Sequence, residues 1–233
     1  MYTDVDLILM AAGTGSRMQL AVKKQWMLIG EKPMFVHTLL RFLAMGFDSC
    51  ILVVHEKERL ATEEALATYG IDSARCRLAI GGEDRQASVA RGLALATRQL
   101  VAVHDAARPF FQEKDIANVI TKARETGAAT LASPVRDTLV VVDQDEALLE
   151  TKNRDGVWQV QTPQVFTRTW LSEAHEVARE EGYRSTDDTY LLRQIGHQVH
   201  VVRGASLNVK ITEPDDALFI ALWEGTHEGR SGF

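Results

Sequence analysis

Short apolar runs that alternate with helical patterns constrain the fold of this chain more than any other feature. Residues 5–10 read VDLILM, and comparable runs occupy 50–54, 76–80, 100–104 and 128–133. Continuous apolar runs of this length are typical of strands buried on both faces. The intervening segments predict helices at 33–45, 57–69, 85–97 and 113–126. The alternation predicts βαβ units, and therefore a Rossmann-like α/β fold with a mostly parallel sheet flanked by helices.

The pattern changes after Pro134. Residues 137–152 contain TLVVV, the polar turn DQDEA and then LLETK, which predicts a β-hairpin. A hairpin fits poorly inside a doubly wound sheet, so we expect a projecting arm at about 137–157, with apolar residues that need a partner surface. The remaining predicted elements are a strand at 157–160, a helix at 169–181, a helix at 187–194 capped by Thr186, a strand at 198–202 and a helix at 215–224. With no repeat or linker, residues 1–233 are expected to form one domain.

Composition excludes several classes of protein. The net charge of −6 argues against a broad basic surface for nucleic acid. Asp4 and Asp6 stand where a signal peptide would be basic, and no apolar run approaches the roughly 20 residues that span a bilayer. Cys50 and Cys76 lack metal-ligand spacing and favour buried, reduced thiols. We therefore expect a cytoplasmic enzyme without nucleic-acid or membrane partners.

Three loops should converge where the parallel strands end, which is where such sheets bind ligands: 11–18, 81–88 and 104–108. The first loop reads AAGTGSRM. It is neither a dinucleotide fingerprint nor a P-loop, because Met18 stands where both patterns require glycine. Its small residues let backbone N–H groups approach phosphate oxygens, and Arg17 and Lys24 add positive charge. The loop predicts a polyphosphate site; the alternative is a tight turn with solvated basic residues.

These residues resemble the signature loop of sugar-nucleotide and polyol-phosphate nucleotidyltransferases. More narrowly, the chain is similar to the 2-C-methyl-D-erythritol 4-phosphate cytidylyltransferase family. The similarity lies in segments that keep the family's order over nearly the whole chain: GGEDRQASV at 81–89, VHDAARPF at 103–110, PVRDT at 134–138, RDGVWQVQTPQVF at 154–166, TDD at 186–188 and NVKIT at 208–212. One departure is Lys23, where the family often has proline. Of the two adjacent lysines we select Lys24, because Gln25 follows it directly.

The resemblance implies a reaction in which the phosphate of methylerythritol phosphate attacks the α-phosphorus of CTP and displaces pyrophosphate. It implies Mg²⁺ as cofactor and a homodimer in which the arm completes the partner's substrate pocket. Arg17 and Lys24 are then the catalytic pair. The residues implied in CTP binding are Ala11, Ala12, Gly13, Gly15, Gly81, Gly82, Ser88 and Asp105. Those implied in substrate binding are Asp105, Thr138, Arg154, Thr162, Thr186 and Lys210, with Asp105 also the candidate for the metal.

Other polar residues are given structural roles. Arg85 is expected to brace its loop, Arg108 to pin neighbouring carboxylates, and His104 to be packed rather than act as a base. Asp187 and Asp188 are expected at a helix N-terminus. The histidines at 197 and 200 flank a strand, which argues against a metal site.

Two alternatives remain open at this level. One is a relative that uses another polyol phosphate, such as ribitol 5-phosphate. The other is a non-catalytic nucleotide sensor, which retention of Arg17, Lys24, Asp105 and Lys210 argues against.

Overall fold

The structure is a computed structural model that describes residues 1–13 and 23–227. Within these residues the central sheet has seven strands, and it is parallel except at one strand, β10 (Trp158–Thr167). Two separate two-stranded sheets accompany it. In chain order the strands of all three sheets are β1 (Val5–Met10), β2 (Leu28–Ile29), β3 (Lys32–Pro33), β4 (Cys50–Val54), β5 (Cys76–Ile80), β6 (Leu100–Asp105), β7 (Ala128–Pro134), β8 (Leu139–Val142), β9 (Leu148–Lys152), β10 (Trp158–Thr167) and β11 (His200–Arg203). The order across the central sheet is β11-β7-β10-β6-β1-β4-β5, and the two-stranded sheets are β2-β3 and β8-β9. The predicted mostly parallel α/β sheet is confirmed.

Helices cover both faces of this sheet. They are α1 (Met34–Ala44), α2 (Arg59–Thr68), α3 (Arg85–Leu93), α4 (Glu113–Thr126), α5 (Arg168–Glu181), α6 (Asp188–Gln194) and α7 (Ala217–His227). Side chains alternate between faces along a strand, so Leu7 and Leu9 pack with α1 and α4 while Ile8 packs with α3 and α5. All three side chains are fully buried, which explains why the first run is apolar without a polar alternation.

Several element boundaries differ from the sequence prediction. Helix α1 begins at Met34, because Pro33 pairs with Leu28 in the short β2–β3 hairpin. Helix α3 ends at Leu93, four residues earlier than predicted for 85–97. The prediction of Thr186 as an N-cap was wrong: the Asp187 side chain caps α6 by accepting from Thr189 N at 2.7 Å.

Strand β10 departs most from the sequence prediction. A short strand was predicted at 157–160, but β10 has ten residues and runs antiparallel between β6 and β7. Pairing is irregular between Val160 and Gln164, around Pro163. A proline and three glutamines within the run conceal a strand whose second half is buried.

The predicted hairpin is confirmed as a separate two-stranded sheet formed by β8 and β9. Its apolar side chains are exposed in the single chain, including Val141, Val142 and Leu148. This arm does not add a strand to the central sheet, which agrees with the expectation that it projects.

The two cysteines of the chain lie in neighbouring strands of the central sheet. Cys50 and Cys76 are buried free thiols, opposite each other in the register of β4 and β5. Burial raises the pKa of the Cys76 thiol to about 12. No helix among the described residues is long and apolar enough to cross a membrane.

Candidate active site

A cleft of about 540 Å³ lies at the carboxyl ends of the central strands. The segments after β1, β4, β5 and β6 line it together with residues from two later loops. The lining residues are Met10, Ala11, Ala12, Gly13, Lys24, Gln25, His55, Gly82, Glu83, Asp84, Arg85, Ser88, Asp105, Ala106, Ala107, Thr186, Lys210 and Thr212. The three loops expected to converge therefore do so in their described parts.

The two adjacent lysines point in different directions. Lys24 lines the cleft, and its Cε lies 4.0 Å from the position that a Cβ on Gly13 would occupy. Lys23 instead forms an ion pair with Glu58, with 3.1 Å between Nζ and Oε1. The geometry thus agrees with the choice of Lys24 for the cleft. Gly15 and Arg17 lie outside the described residues.

Close packing explains the two glycines after β5. A Cβ on Gly81 would lie 2.6 Å from Ala12 Cβ, and one on Gly82 would lie 2.4 Å from Ala87 Cβ. Gly82 N donates to Ser88 Oγ at 3.0 Å, which fixes this loop at the start of α3. Gly82 and Ser88 line the cleft, whereas Gly81 lies just behind it against Ala12.

Asp105 is the centre of a cluster of cations. Its Oδ2 lies 2.8 Å from Lys210 Nζ and 3.6 Å from Arg108 Nε. Burial acts to raise the pKa of Asp105, but Lys210, Arg85 and Arg108 outweigh it and hold this pKa well below the usual range. Asp105 is therefore ionised at neutral pH and keeps Lys210 at the edge of the cleft.

The predicted bracing roles of Arg85 and Arg108 agree with the structure. Arg85 donates to Asp188 Oδ2 at 2.6 Å, and His175 Nε2 lies 3.0 Å from the other oxygen of that carboxylate. Asp188 is buried and ties α6 to the first residue of α3, so its role exceeds the helix-terminus role expected from sequence. Arg108 donates to the Asn208 carbonyl at 2.7 Å and so holds the segment that leads to Lys210.

Thr162 and His104 lie directly behind Asp105. His104 Nε2 is 3.1 Å from the Arg108 carbonyl, which only accepts, so Nε2 carries the proton. Nδ1 therefore accepts from Thr162 Oγ1, and that hydroxyl accepts from Asp105 N at 3.1 Å. Burial lowers the pKa of His104 to about 4, which makes it a neutral structural group, as predicted. Thr162 supports Asp105 from outside the cleft lining.

Two expected substrate residues are not among those that line the cleft. Thr138 and Arg154 are exposed at the arm, and Arg154 donates to the Arg136 carbonyl. Thr186 lines the cleft, and since Asp187 provides the helix cap, its hydroxyl is not needed there.

Sequence reasoning missed Gln25, His55 and Glu58. Gln25 and His55 line the cleft, and Glu58 lies behind Gln25. Two signals were available: Gln25 follows Lys24 in the loop motif, and His55 follows β4 at the same edge as the glycine loop. Nothing local to Glu58 distinguished it from its helical neighbours.

Three of the residues that line the cleft are carboxylates, Glu83, Asp84 and Asp105. Among the described residues no group of three or more His, Cys, Asp or Glu side chains could hold an ion. Mg²⁺ is commonly bound by one or two carboxylates together with substrate phosphates. Asp105 therefore fits an ion carried mainly by a nucleotide.

His197, one of the two histidines for which a metal role was not expected, stacks on Trp170 with 3.9 Å between ring centroids.

Comparison with known proteins gives consistent matches over most of the chain. Residues 5–222 match the family model described as IspD: 2-C-methyl-D-erythritol 4-phosphate cytidylyltransferase. Proteins of that name from Halalkalibacterium halodurans and Bacillus cytotoxicus are 39% and 41% identical, over 93% and 94% of this chain and 95% of each of theirs.

Solved structures agree with these matches. The enzyme of the same name from Thermus thermophilus is 31% identical with a TM-score of 0.76, covering 93% of this chain and 98% of its own. A 4-diphosphocytidyl-2C-methyl-D-erythritol synthase from Anaerococcus prevotii is 28% identical with a TM-score of 0.81, covering 95% and 96%.

Proposed function

We infer the function of this chain from the family it belongs to, the 2-C-methyl-D-erythritol 4-phosphate cytidylyltransferases. It is a nucleotidyltransferase that transfers CMP from CTP to 2-C-methyl-D-erythritol 4-phosphate. The products are 4-diphosphocytidyl-2-C-methyl-D-erythritol and pyrophosphate, in the non-mevalonate route to isoprenoid precursors. The observation that connects this function to the site is the cleft at the strand ends, in which Gly13, Ser88 and two lysines, Lys24 and Lys210, come together.

The chemistry needs positioning and charge stabilisation rather than a protein nucleophile. A phosphate oxygen of the acceptor forms a bond to the α-phosphorus of CTP while the bond to the pyrophosphate oxygen breaks. A phosphate monoester has a second pKa of about 6 and is ionised at neutral pH, so no strong base is required. The neutral, buried state of His104 is compatible with this requirement.

We propose that Lys24 and Arg17 stabilise the charge that develops at the α-phosphorus. Ala11, Ala12, Gly13 and Gly15 would admit the triphosphate to the backbone. Gly82 and Ser88 would bind cytosine, and Gly81 would support them from behind the cleft. The position of Lys24 in the cleft beside Gly13 supports this assignment. A preorganised donor of this kind typically contributes about 10²–10³ in rate.

We propose that Lys210 and Arg154 hold the acceptor phosphate, and that Asp105, Thr138, Thr162 and Thr186 shape the acceptor pocket. Since Arg154 lies at the exposed arm, this requires a homodimer in which each arm reaches the other subunit's cleft. The exposed apolar side chains of β8 and β9 support such an interface.

We propose Mg²⁺ as the cofactor, bound mainly by the triphosphate, with Asp105 as the carboxylate that would reach it. The ion would offset negative charge on the phosphates. We also propose a cytoplasmic location, which the two buried free thiols favour, and a single catalytic domain, which the match over residues 5–222 favours.

A coupled assay of pyrophosphate release tests the function. With CTP and Mg²⁺, release is expected with methylerythritol phosphate and much less with ribitol 5-phosphate. Faster release with ribitol 5-phosphate would reassign the acceptor. Binding of CTP without release for either acceptor would indicate a nucleotide sensor instead.

A further inference from the structure

The side chains of four consecutive residues, 23–26, at the edge of the cleft have different surroundings. Lys23, Gln25 and Trp26 all contact the carboxylate of Glu58, while Lys24 lines the cleft. Residues 24–26 form a single 3-10 turn, closed by hydrogen bonds from Trp26 N to Lys23 O and from Met27 N to Lys24 O. Side chains three apart in such a turn share a face, so Lys23 and Trp26 turn together toward Glu58.

Three side chains of this segment contact the carboxylate of Glu58. Gln25 Nε2 lies 2.9 and 3.1 Å from its two oxygens, Trp26 Nε1 lies 3.1 Å from Oε1, and Lys23 Nζ lies 3.1 Å from the same atom. Among the described residues the Gln25 Oε1 atom has no hydrogen-bond partner, so in this part of the chain the hydrogen bonds of the Gln25 amide all go to Glu58.

Glu58 is itself held on a rigid base. It ends the 3-10 segment Glu56–Glu58 that follows β4, and its side chain is only 10% exposed. Its N–H donates to the His55 carbonyl at 2.8 Å, and its carbonyl accepts from Thr62 Oγ1 at 2.8 Å in α2. Glu58 is therefore fixed relative to β4, and its carboxylate holds the turn that carries Lys24 in place.

We propose that Glu58 is a positioning residue for the transfer reaction, one that aims Lys24 into the cleft by anchoring Lys23, Gln25 and Trp26. It also withholds the Lys23 ammonium from the triphosphate, so that a single lysine of the pair faces the reacting phosphorus. The proposal rests on the proposed role of Lys24, and it assigns to Glu58 an effect on turnover without contact with substrate.

The variant Glu58→Gln tests this. An amide keeps the size of the side chain but offers one accepting oxygen, and its NH₂ opposes the donors of Lys23 and Gln25. We expect kcat in the pyrophosphate-release assay to fall roughly 10–100-fold, because small misplacements of a catalytic group have effects of that size. The KM for CTP should stay the same or fall, since a released Lys23 adds binding that does not favour the transition state.

Two controls separate positioning from loss of stability. Glu63→Gln removes a carboxylate of the neighbouring α2 that pairs with Arg59 at 3.0 Å and does not touch the turn. Asp6→Asn removes a fully buried carboxylate at the opposite end of β1, where it accepts from Thr97 N at 2.6 Å. We expect both control variants, Glu63→Gln and Asp6→Asn, to retain the wild-type kcat. Asp6→Asn should nevertheless lower Tm at least as much as Glu58→Gln does.

A double-mutant cycle with Lys24→Ala completes the test. If Glu58 acts through Lys24, Glu58→Gln should reduce kcat no more than about twofold in the Lys24→Ala background. The proposal is overturned if Glu58→Gln retains wild-type kcat, or if its effect is equally large without Lys24. Absence of pyrophosphate release by the wild-type enzyme would instead refute the proposed function.

Discussion

Replacing Asp105 by asparagine perturbs the centre of the site with almost no change in volume. The substitution removes the negative charge that faces Lys210 at 2.8 Å and Arg108 at 3.6 Å. Breaking a buried ion pair costs about 3–5 kcal/mol. The side chain of Lys210 is 34% exposed, and asparagine keeps one accepting oxygen, so we expect a smaller loss of about 2 kcal/mol. For a chain of this size that corresponds to a fall in Tm of about 4–8 °C.

The assay is urea unfolding at pH 7 and low salt, with and without pyrophosphate and in the absence of divalent cations. The variant should bind pyrophosphate about tenfold more tightly than wild type, since a competing anion has left the cation cluster. Asp4→Asn, which breaks an exposed pair with Arg124 at 2.6 Å, is the control and should cost less than about 1 kcal/mol. Unchanged stability, or weaker binding of pyrophosphate, would refute the reasoning.

Because the pKa of Asp105 is lowered, its contribution to stability is present above about pH 4 and is lost as the pH falls further.

The remaining predictions concern the lysine pair, a buried histidine and the arm. Lys24→Ala should lower kcat about 10²–10³-fold and Lys23→Ala less than about tenfold, measured by pyrophosphate release; equal losses would contradict the geometry. Because burial lowers the pKa of His104 to about 4, the unfolded chain binds the proton first, so wild-type stability should fall by about 3 kcal/mol as the pH drops from about 6.5 to about 4. His104→Asn should flatten this slope in urea titrations, and an unchanged slope would exclude His104 as its source. Val141→Asp should convert the proposed dimer to a monomer in sedimentation and lower activity, whereas an active dimer would remove the arm from the interface.

Elements that are determined by a short stretch of sequence were predicted well, whereas those that depend on contacts between distant residues were predicted poorly. Strands β1, β4 and β6 were predicted because burial on both faces requires a continuous apolar run, and that requirement is local. Strand β10 was predicted only in its first residues, as a strand at 157–160, because its ladder to β6 and β7 tolerates glutamines and a proline that no local pattern marks as strand. Thr186 was assigned as a cap on residue type alone, although Asp187 one position later has the geometry that caps α6.

The site divides in the same way. Gly82, Ser88 and Lys24 belong to compact motifs, and they line the cleft as the motifs indicated. Glu58 lies 33 residues from Gln25 in the sequence, and their contact exists only because β4 returns the chain beside β1. A carboxylate in a stretch of charged helical residues carries no local sign of such a contact.

The charge balance of the site follows from its ligands. The chain has a net charge of −6, yet its substrates are anions. Cations that simply faced one another in the cleft would repel and would oppose folding, whereas a carboxylate among them holds Lys210 and Arg108 in place before any phosphate arrives. Asp105 therefore stabilises the ligand-free protein and at the same time competes with the phosphates that it prepares the site to receive. This compromise makes Asp105 the residue whose removal should weaken folding and strengthen binding of the pyrophosphate product.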